Sequence, residues 1–567
     1  KLIKGNIGAI IVSLIVGIFT LLPSLSPLWN IPNFSGVWPQ LNGDRLYYFA
    51  RIQEVIDGHE SINHPYFYEH KDVTYPQATL AERLVAFGAK SSNRSVPDFH
   101  VYIDFVSAFL SAFLVYLLLR NFGVGKRFSW IVPLLFFTVV HGPQLKPIHP
   151  AISFPLFLAF LICWVRAISC KKKLSHIVVA GLILGLLFLT YFYHWSFLLV
   201  VLGIHGLILL VKKKFHLFSH QILIVAVGLI VGAPYFWLVF KGFDAAFYDE
   251  TVVRVGVYFS HLPETIPRLA VALLWVGFFG WWGLITKSFN NKIYLALWAL
   301  LAANIVYPNH QIITGMIIQN ANHWSVMPVF LYLIAAAYII TITLGFQGRK
   351  FGVCIVAFTI FLVAVPAYRL SDFNPDRYIK SITEAAYADI LRQEYRLVFD
   401  WLNKAEKDSV IFANSDLMEY IPAYTHSNVY YTWYAFNLPG SDREIIERAL
   451  LAQLFNPSFF EDDRYGLLID TRILWTQPAQ SERNTHKIHR LLGIPYEEQY
   501  SLQKETKKIR EVQDELEKSG WGVSLLKKHK IDYIVWDKNK NPEWRLDTLN
   551  ELKKIESISN FEIYSFR

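Results

Sequence analysis

Apolar runs of about 18 to 22 residues recur along this chain. That is the length a helix needs to cross a bilayer, and no single soluble core can absorb so many of them. The first covers roughly 7–28 and follows Lys1 and Lys4. Others fall near 101–120, 128–141, 150–168, 176–193, 196–211, 220–240, 268–286, 292–307, 325–345 and 350–368, giving eleven in all. A cleaved leader is the alternative for the first run. It is long for a leader's apolar segment and lacks a small-residue cleavage site, so it is read as a retained span entering from the cytoplasm. Composition agrees: of 567 residues, 53% are hydrophobic and 16% aromatic, well above a soluble protein.

A net charge of +9 raises the question of nucleic acid. Its distribution answers against it, because the cations fall in short clusters between the apolar runs. Arg120, Lys126 and Arg127, then Arg166 with Lys171, Lys172 and Lys173, then Lys212, Lys213 and Lys214, then Lys287 and Lys292, then Arg349 and Lys350 all fall on one side. The connectors near 141–149, 193–196 and 307–324 hold only Lys146. Cations mark the cytoplasmic side, and the alternation holds through all eleven runs. The N-terminus is therefore expected in the cytoplasm of a cell membrane and the C-terminus outside it. Cys163, Cys170 and Cys354 lie in or beside apolar runs without metal-ligand spacing, so no disulfide framework is expected.

Beyond 368 the composition turns mixed and charged. The expected division is a membrane part, 1–368, with a large first outer loop at 29–100, and an outer α/β domain, 369–567. In the loop, Phe49, Ile52, Val55 and Ile56, and then Leu80, Leu84 and Phe87, recur at helical spacing, as in amphipathic helices lying at the membrane interface. In the outer domain, Ile382 to Leu402 reads as helix. Asp408 to Ala413, Ile531 to Trp536 and Phe561 to Phe566 read as strands. Ser441-Asp-Arg-Glu444 has the form of a capping box. Phosphate-loop, dinucleotide, HExxH, GxSxG and CxxC patterns are absent.

The chemistry should sit where polar groups gather on the outer face. The first gathering is Asp44 with Arg45, Tyr47, Tyr48 and Arg51, in Leu41 to Gly58. A carboxylate against a membrane face is costly without partners or a task. The second is the connector from His141 through Lys146 to His149. The third is 241–267, with Asp244, Asp249, Glu250, Arg254, His261 and Glu264. The fourth runs from Tyr307 through His310, Gln311, Gln319 and Asn322 to His323 and Trp324. It is too polar for a span and too apolar for a free loop, as a groove-lining segment would be. Each has a plainer reading. Outer-loop carboxylates are usually only solvated, and His149 fits an interface residue. Most of the aromatic residues form an interfacial belt, and some can stack on sugar rings.

The layout of a first span, a large outer loop carrying Gly43-Asp44-Arg-Leu-Tyr47-Tyr48 with Arg51, a bundle and an outer C-terminal domain resembles the GT-C superfamily of polytopic glycosyltransferases. The loop motif is similar to the first-loop aspartate motif of oligosaccharyltransferase catalytic subunits. The span count is nearer to protein O-mannosyltransferase and aminoarabinose transferase relatives. The WWDYG motif is absent, with only Val535-Trp536-Asp537 nearby in character, and the second connector has no DxD. These departures set sequon N-glycosylation apart from the superfamily resemblance.

What the resemblance implies is inverting transfer of a sugar from a polyprenyl-phosphate donor to a glycan, lipid or protein acceptor outside the membrane. Asp44 would be the base or a metal ligand, with a divalent metal (Mg or Mn) as the implied cofactor. Arg51, Tyr48, Lys146, His149, His310, Gln311, His323 and Trp324 would form the substrate site. The alternatives are transfer of a whole lipid-linked oligosaccharide to protein, a lipid or solute transporter or flippase, and a receptor. The spans lack the buried charges and paired broken helices of ion-coupled transporters, and a receptor needs fewer spans.

Overall fold

The computed structural model describes residues 2–41, 43–140, 146, 148, 150–169, 173–263, 266–318, 323–324, 326–344, 349–370, 374–456, 486–495 and 502–567. Among these, every expected apolar segment is helical. The helices are Leu2–Leu25, Val96–Asn121, Lys126–Leu135 continuing as a π-turn over Phe136–Val140, Ser153–Ser169, Lys173–Phe188, Phe192–Val211, Phe215–Phe243, Ile266–Ile285, Lys292–Val306, Met327–Thr343 and Arg349–Leu370. Five are long and apolar enough to cross a membrane by themselves: Asn6–Leu25, Val96–Asn121, Phe192–Val211, Phe215–Phe243 and Ile266–Ile285. The chain is thus a polytopic helical membrane protein with a sheet-bearing C-terminal part.

Two kinds of helix make the bundle. Phe215–Phe243 turns Ile222, Ile230, Trp237 and Phe240 outward, an apolar surface that water would not tolerate and lipid requires. Met327–Thr343 is buried almost all round and forms the bundle's centre. Lipid gives helices no hydrophobic reason to associate, so close backbone approach must supply it. Gly181 and Gly185 face Val227 and Val231 of Phe215–Phe243, and Gly228 and Gly232 face Leu184 and Phe188 in return. A methyl group at Gly181, Gly185 or Gly232 would collide with the facing helix.

The C-terminal part is built on a mixed five-stranded sheet. Its strands are β3 (Val410–Phe412), β4 (Asn428–Val429), β5 (Tyr533–Asp537), β6 (Leu552–Ile558) and β7 (Phe561–Phe566), in the order β4-β3-β5-β7-β6. β3 runs parallel to β4 and β5. β5 and β7 are antiparallel, with Ile534 opposite Tyr564. The expected strands at 408–413, 531–536 and 561–566 are present. β6 escaped the periodicity because five of its seven residues are exposed. The helix expected over 382–402 is broken, because Glu384 and Ala386 are extended. It becomes Pro375–Thr383, Tyr387–Leu391 and Tyr395–Leu402. Ser441 caps Asp442–Leu451, its Oγ accepting from the Glu444 N–H at 3.1 Å. The Glu444 carboxylate is instead engaged by His70 at 2.6 Å and Arg448 at 2.9 Å.

The core around this sheet is not made by 369–567 alone. Leu46, Phe49, Ala50, Ile52, Tyr66 and Phe67 of the 29–100 connector pack into one cluster with Phe399, Ile421, Ile446 and Ile534. This corrects the interfacial placement of Arg45–Ile56: Phe49 and Ile52 are fully buried against protein. On Leu80–Ser91, Ala81, Val85, Ala86 and Ala89 are buried, while Leu84 and Phe87 remain exposed.

Candidate active site

Asp44 occupies the cap position of helix Arg45–Ile56, with φ −97° and ψ 0°, and its carboxylate makes no capping bond to the helix. The turn before it is held from the far end of the chain. The Tyr434 hydroxyl donates to the Gly43 carbonyl at 2.5 Å, and Gln40 Nε2 donates to the same carbonyl at 3.1 Å. With the turn fixed, the Asp44 carboxylate meets the Lys146 ammonium. Both side chains stay partly accessible, 44% for Asp44 and 40% for Lys146. They form an ion pair at an opening rather than in a core.

Aromatic groups wall this opening. Tyr48 is one turn along the same helix. Burial and then the neighbouring Asp44 carboxylate hold its phenol well above the ordinary value. Tyr191, just ahead of Phe192–Val211, is raised by burial, by Tyr193 and Tyr307, and also by Asp44. The Tyr191 hydroxyl lies 3.1 Å from His323 Nδ1. The His323 ring stacks on Tyr193 with centroids 3.9 Å apart and planes 13° apart. His323 is an exposed residue, and its imidazole is packed among the groups around it. Desolvation first and Lys146 second push its pKa down to about 4, and Asp44 acts in the opposite sense. Asp44, Lys146, Tyr48, Tyr191 and His323 are thus within electrostatic reach of one another.

Other expected site residues lie elsewhere. Arg51 is fully buried, donating from Nε to Glu82 at 2.9 Å and from Nη1 to the Ile62 carbonyl at 3.0 Å, with Tyr47 beneath it. It braces the helix from inside the protein, with Nε and Nη1 engaged by those acceptors and no accessible surface. Trp324 is buried against Phe197, with centroids 4.0 Å apart, and donates to Asn304 at 3.0 Å. Gln311 donates to the Leu262 carbonyl at 3.1 Å, and His310 Nδ1 lies 3.1 Å from the Tyr307 carbonyl. Both belong to a small unit where β1 (Tyr258–Phe259) pairs with β2 (Met316–Ile317). His141, His149, Glu264 and 319–322 lie outside the described residues. The described part of 241–267 holds the C-terminal part: Arg254 donates to the carbonyls of Phe436, Leu438 and Gly440 and pairs with Asp442. Glu250 accepts from the Asp442 N–H.

The sequence reading missed Tyr191, Tyr193 and Tyr434. The run Tyr191-Phe-Tyr-His-Trp195 straddles the end of the apolar run 176–193 and the connector after it, where apolar length and absence of charge are the prominent signals and the aromatic cluster is not. The expected divalent metal at Asp44 finds no ligand set. Among the described residues no three His, Cys, Asp or Glu side chains gather to hold one, and Lys146 already supplies Asp44 with a counter-charge.

No family model matches the chain, and no curated protein does. Several solved structures are similar to it. One is the Archaeoglobus fulgidus oligosaccharyltransferase tethered to an acceptor peptide, at 14% identity and TM-score 0.46, covering 82% of this chain and 72% of that one. Another is the same organism's AglB with an inhibitory peptide and dolichol-phosphate, at 14% identity and TM-score 0.44, covering 93% and 69%. A third is ArnT from Cupriavidus metallidurans bound to undecaprenyl phosphate, at 10% identity and TM-score 0.44, covering 98% and 97%. Likeness at this level carries no argument, and function rests on the chain's own residues.

Proposed function

We propose that this protein transfers a sugar from a polyprenyl-phosphate donor to an acceptor hydroxyl on the outer side of the membrane, with inversion. The observation that carries the reading is the partly exposed Asp44–Lys146 pair at an aromatic-walled opening. It has the two charges this displacement needs. The acceptor oxygen bonds to the anomeric carbon while the bond from that carbon to the phosphate oxygen breaks. Asp44 takes the acceptor's proton. The departing phosphate gains negative charge, which the Lys146 ammonium offsets. A phosphate leaves as an anion, so no strong general acid is required.

The resting pair suits this sequence of events. A donor phosphate competes with Asp44 for Lys146, and the carboxylate it displaces becomes available to the acceptor. Tyr48, Tyr191 and the Tyr193–His323 stack offer faces and hydroxyls to a sugar ring. The N-terminus is proposed to lie in the cytoplasm and the 369–567 domain outside, from the charge alternation.

The test is sugar transfer by the purified protein in lipid bilayers, using a polyprenyl-phosphate sugar and a panel of glycan, lipid and peptide acceptors. Wild type should transfer, and inserted, folded Asp44→Asn should not. Lipid translocation without transfer would establish the transporter reading instead.

A further inference from the structure

One residue beyond Asp44, the same helix start carries a second charged group with a different fate. Arg45 points into the protein, to a carboxylate on a membrane helix. Asp104 of Val96–Asn121 is fully buried, as are His100, Ser24 and Arg45. Asp104 Oδ2 accepts from Ser24 Oγ at 2.5 Å and from Arg45 Nη2 at 3.3 Å. Its Oδ1 lies 3.0 Å from His100 Nε2. The Arg45 guanidinium also lies over the Phe49 ring, 5.5 Å from its centroid. One carboxylate therefore joins Leu2–Leu25, Val96–Asn121 and Arg45–Ile56.

We propose that Asp104 is a positioning residue for Asp44: by holding Arg45 it fixes the first turn of Arg45–Ile56 and so the direction of the Asp44 carboxylate. The inference rests on the reading of Asp44 as the base. Stability alone does not account for the cluster, since a well-packed apolar replacement commonly serves a buried ion pair's site as well. What apolar packing lacks is direction, and a guanidinium held by an acceptor and an aromatic face has it. The Asp44 carboxylate makes no capping bond to the helix, so the path of the backbone that carries it is set by the residues on either side. It is bracketed by Tyr434 on Gly43 and by Asp104 on Arg45. Asp104 has no accessible surface, so it acts through Arg45 and not on substrate.

The test uses the full chain in bilayers and the double variant Arg45→Gln/Asp104→Asn, which removes both charges together and avoids stranding one. Folding is checked by its unfolding midpoint. The double variant should lower kcat about tenfold with KM for the donor within about twofold, since orientation and not binding is lost. In an Asp44→Asn background it should add less than about a twofold loss, because residues acting as one unit are non-additive. Amide exchange over Arg45–Tyr48 should rise. Unchanged exchange and kcat would overturn the proposal, as would a full tenfold loss on top of Asp44→Asn. If Asp44→Asn itself transfers normally while exchange still rises in the double variant, the catalytic reading falls and the structural link survives.

Discussion

Asp44 and Arg45 are adjacent, yet they sit in opposite physical regimes. The Asp44–Lys146 pair is open to solvent on both sides, whereas Arg45 and Asp104 are sealed with His100 and Ser24. An exposed pair is worth little, because water solvates each charge nearly as well as the partner does. Either member can leave it for a substrate. A sealed pair cannot exchange, because parting would strand a charge in a low-dielectric interior. One helix start thus carries an exchangeable pair and a sealed pair side by side.

The comparison breaks most readily at the sealed side. Asp104→Ala strands the Arg45 guanidinium and should cost about 3–5 kcal/mol, read from denaturant unfolding in micelles. A loss under about 1 kcal/mol would place the cluster in a far wetter setting than its burial implies. On the open side the effect should fall on rate. Asp44→Asn should lower transfer on the order of a hundredfold while leaving stability within about 1 kcal/mol. Near-normal transfer by well-folded Asp44→Asn would remove Asp44 from the mechanism.

Acid should separate the regimes as well. Burial alone would raise Glu444, but the His70 hydrogen bond and Arg448 hold it down to about 2, against an ordinary value of 4.5. Burial of Asp416 is likewise outweighed by Arg392 and Lys540, which hold it at about 2. A carboxyl whose folded pKa lies below its unfolded value contributes stability above the unfolded value. That stability is lost as pH falls through the folded one. The C-terminal part should therefore weaken between about pH 4.5 and 2, with Glu444 accounting for about 3 kcal/mol before solvent screening and roughly 2 kcal/mol after it. Glu444→Gln should flatten that slope in an acid titration of unfolding. The smallest effect belongs to the wall: Tyr191→Phe removes the contact to His323 and should cost roughly a fewfold in transfer rate, about 1 kcal/mol, without moving the unfolding midpoint.

What could be read from the chain was what local composition controls. Span lengths follow from the bilayer's thickness, so each apolar run became a helix. Phe561 to Phe566 reads as a strand and is β7, its first four residues all buried, while β6 was hidden because an exposed edge strand needs no apolar stripe. Asp44 stood out because a carboxylate beside a span end is costly wherever the rest of the chain goes. Charge on Arg51 was equally visible, but not its direction: it faces Glu82, 31 residues away, and is enclosed.

Only the tertiary structure decided which neighbours each charge would keep. Lys146 reaches Asp44 across 102 residues, Tyr434 reaches Gly43 across 391, and His323 reaches Tyr191 across 132. Tyr191 and Tyr193 gained their part in the wall only when His323 was brought beside them. The sequence by itself determined that this chain crosses a membrane and where a reactive carboxylate was available, because hydrophobic length and the cost of burying charge act residue by residue. Packing decided that Asp44 opens toward Lys146 while Arg45 closes onto Asp104, because desolvation and pairing depend on what the rest of the chain brings near.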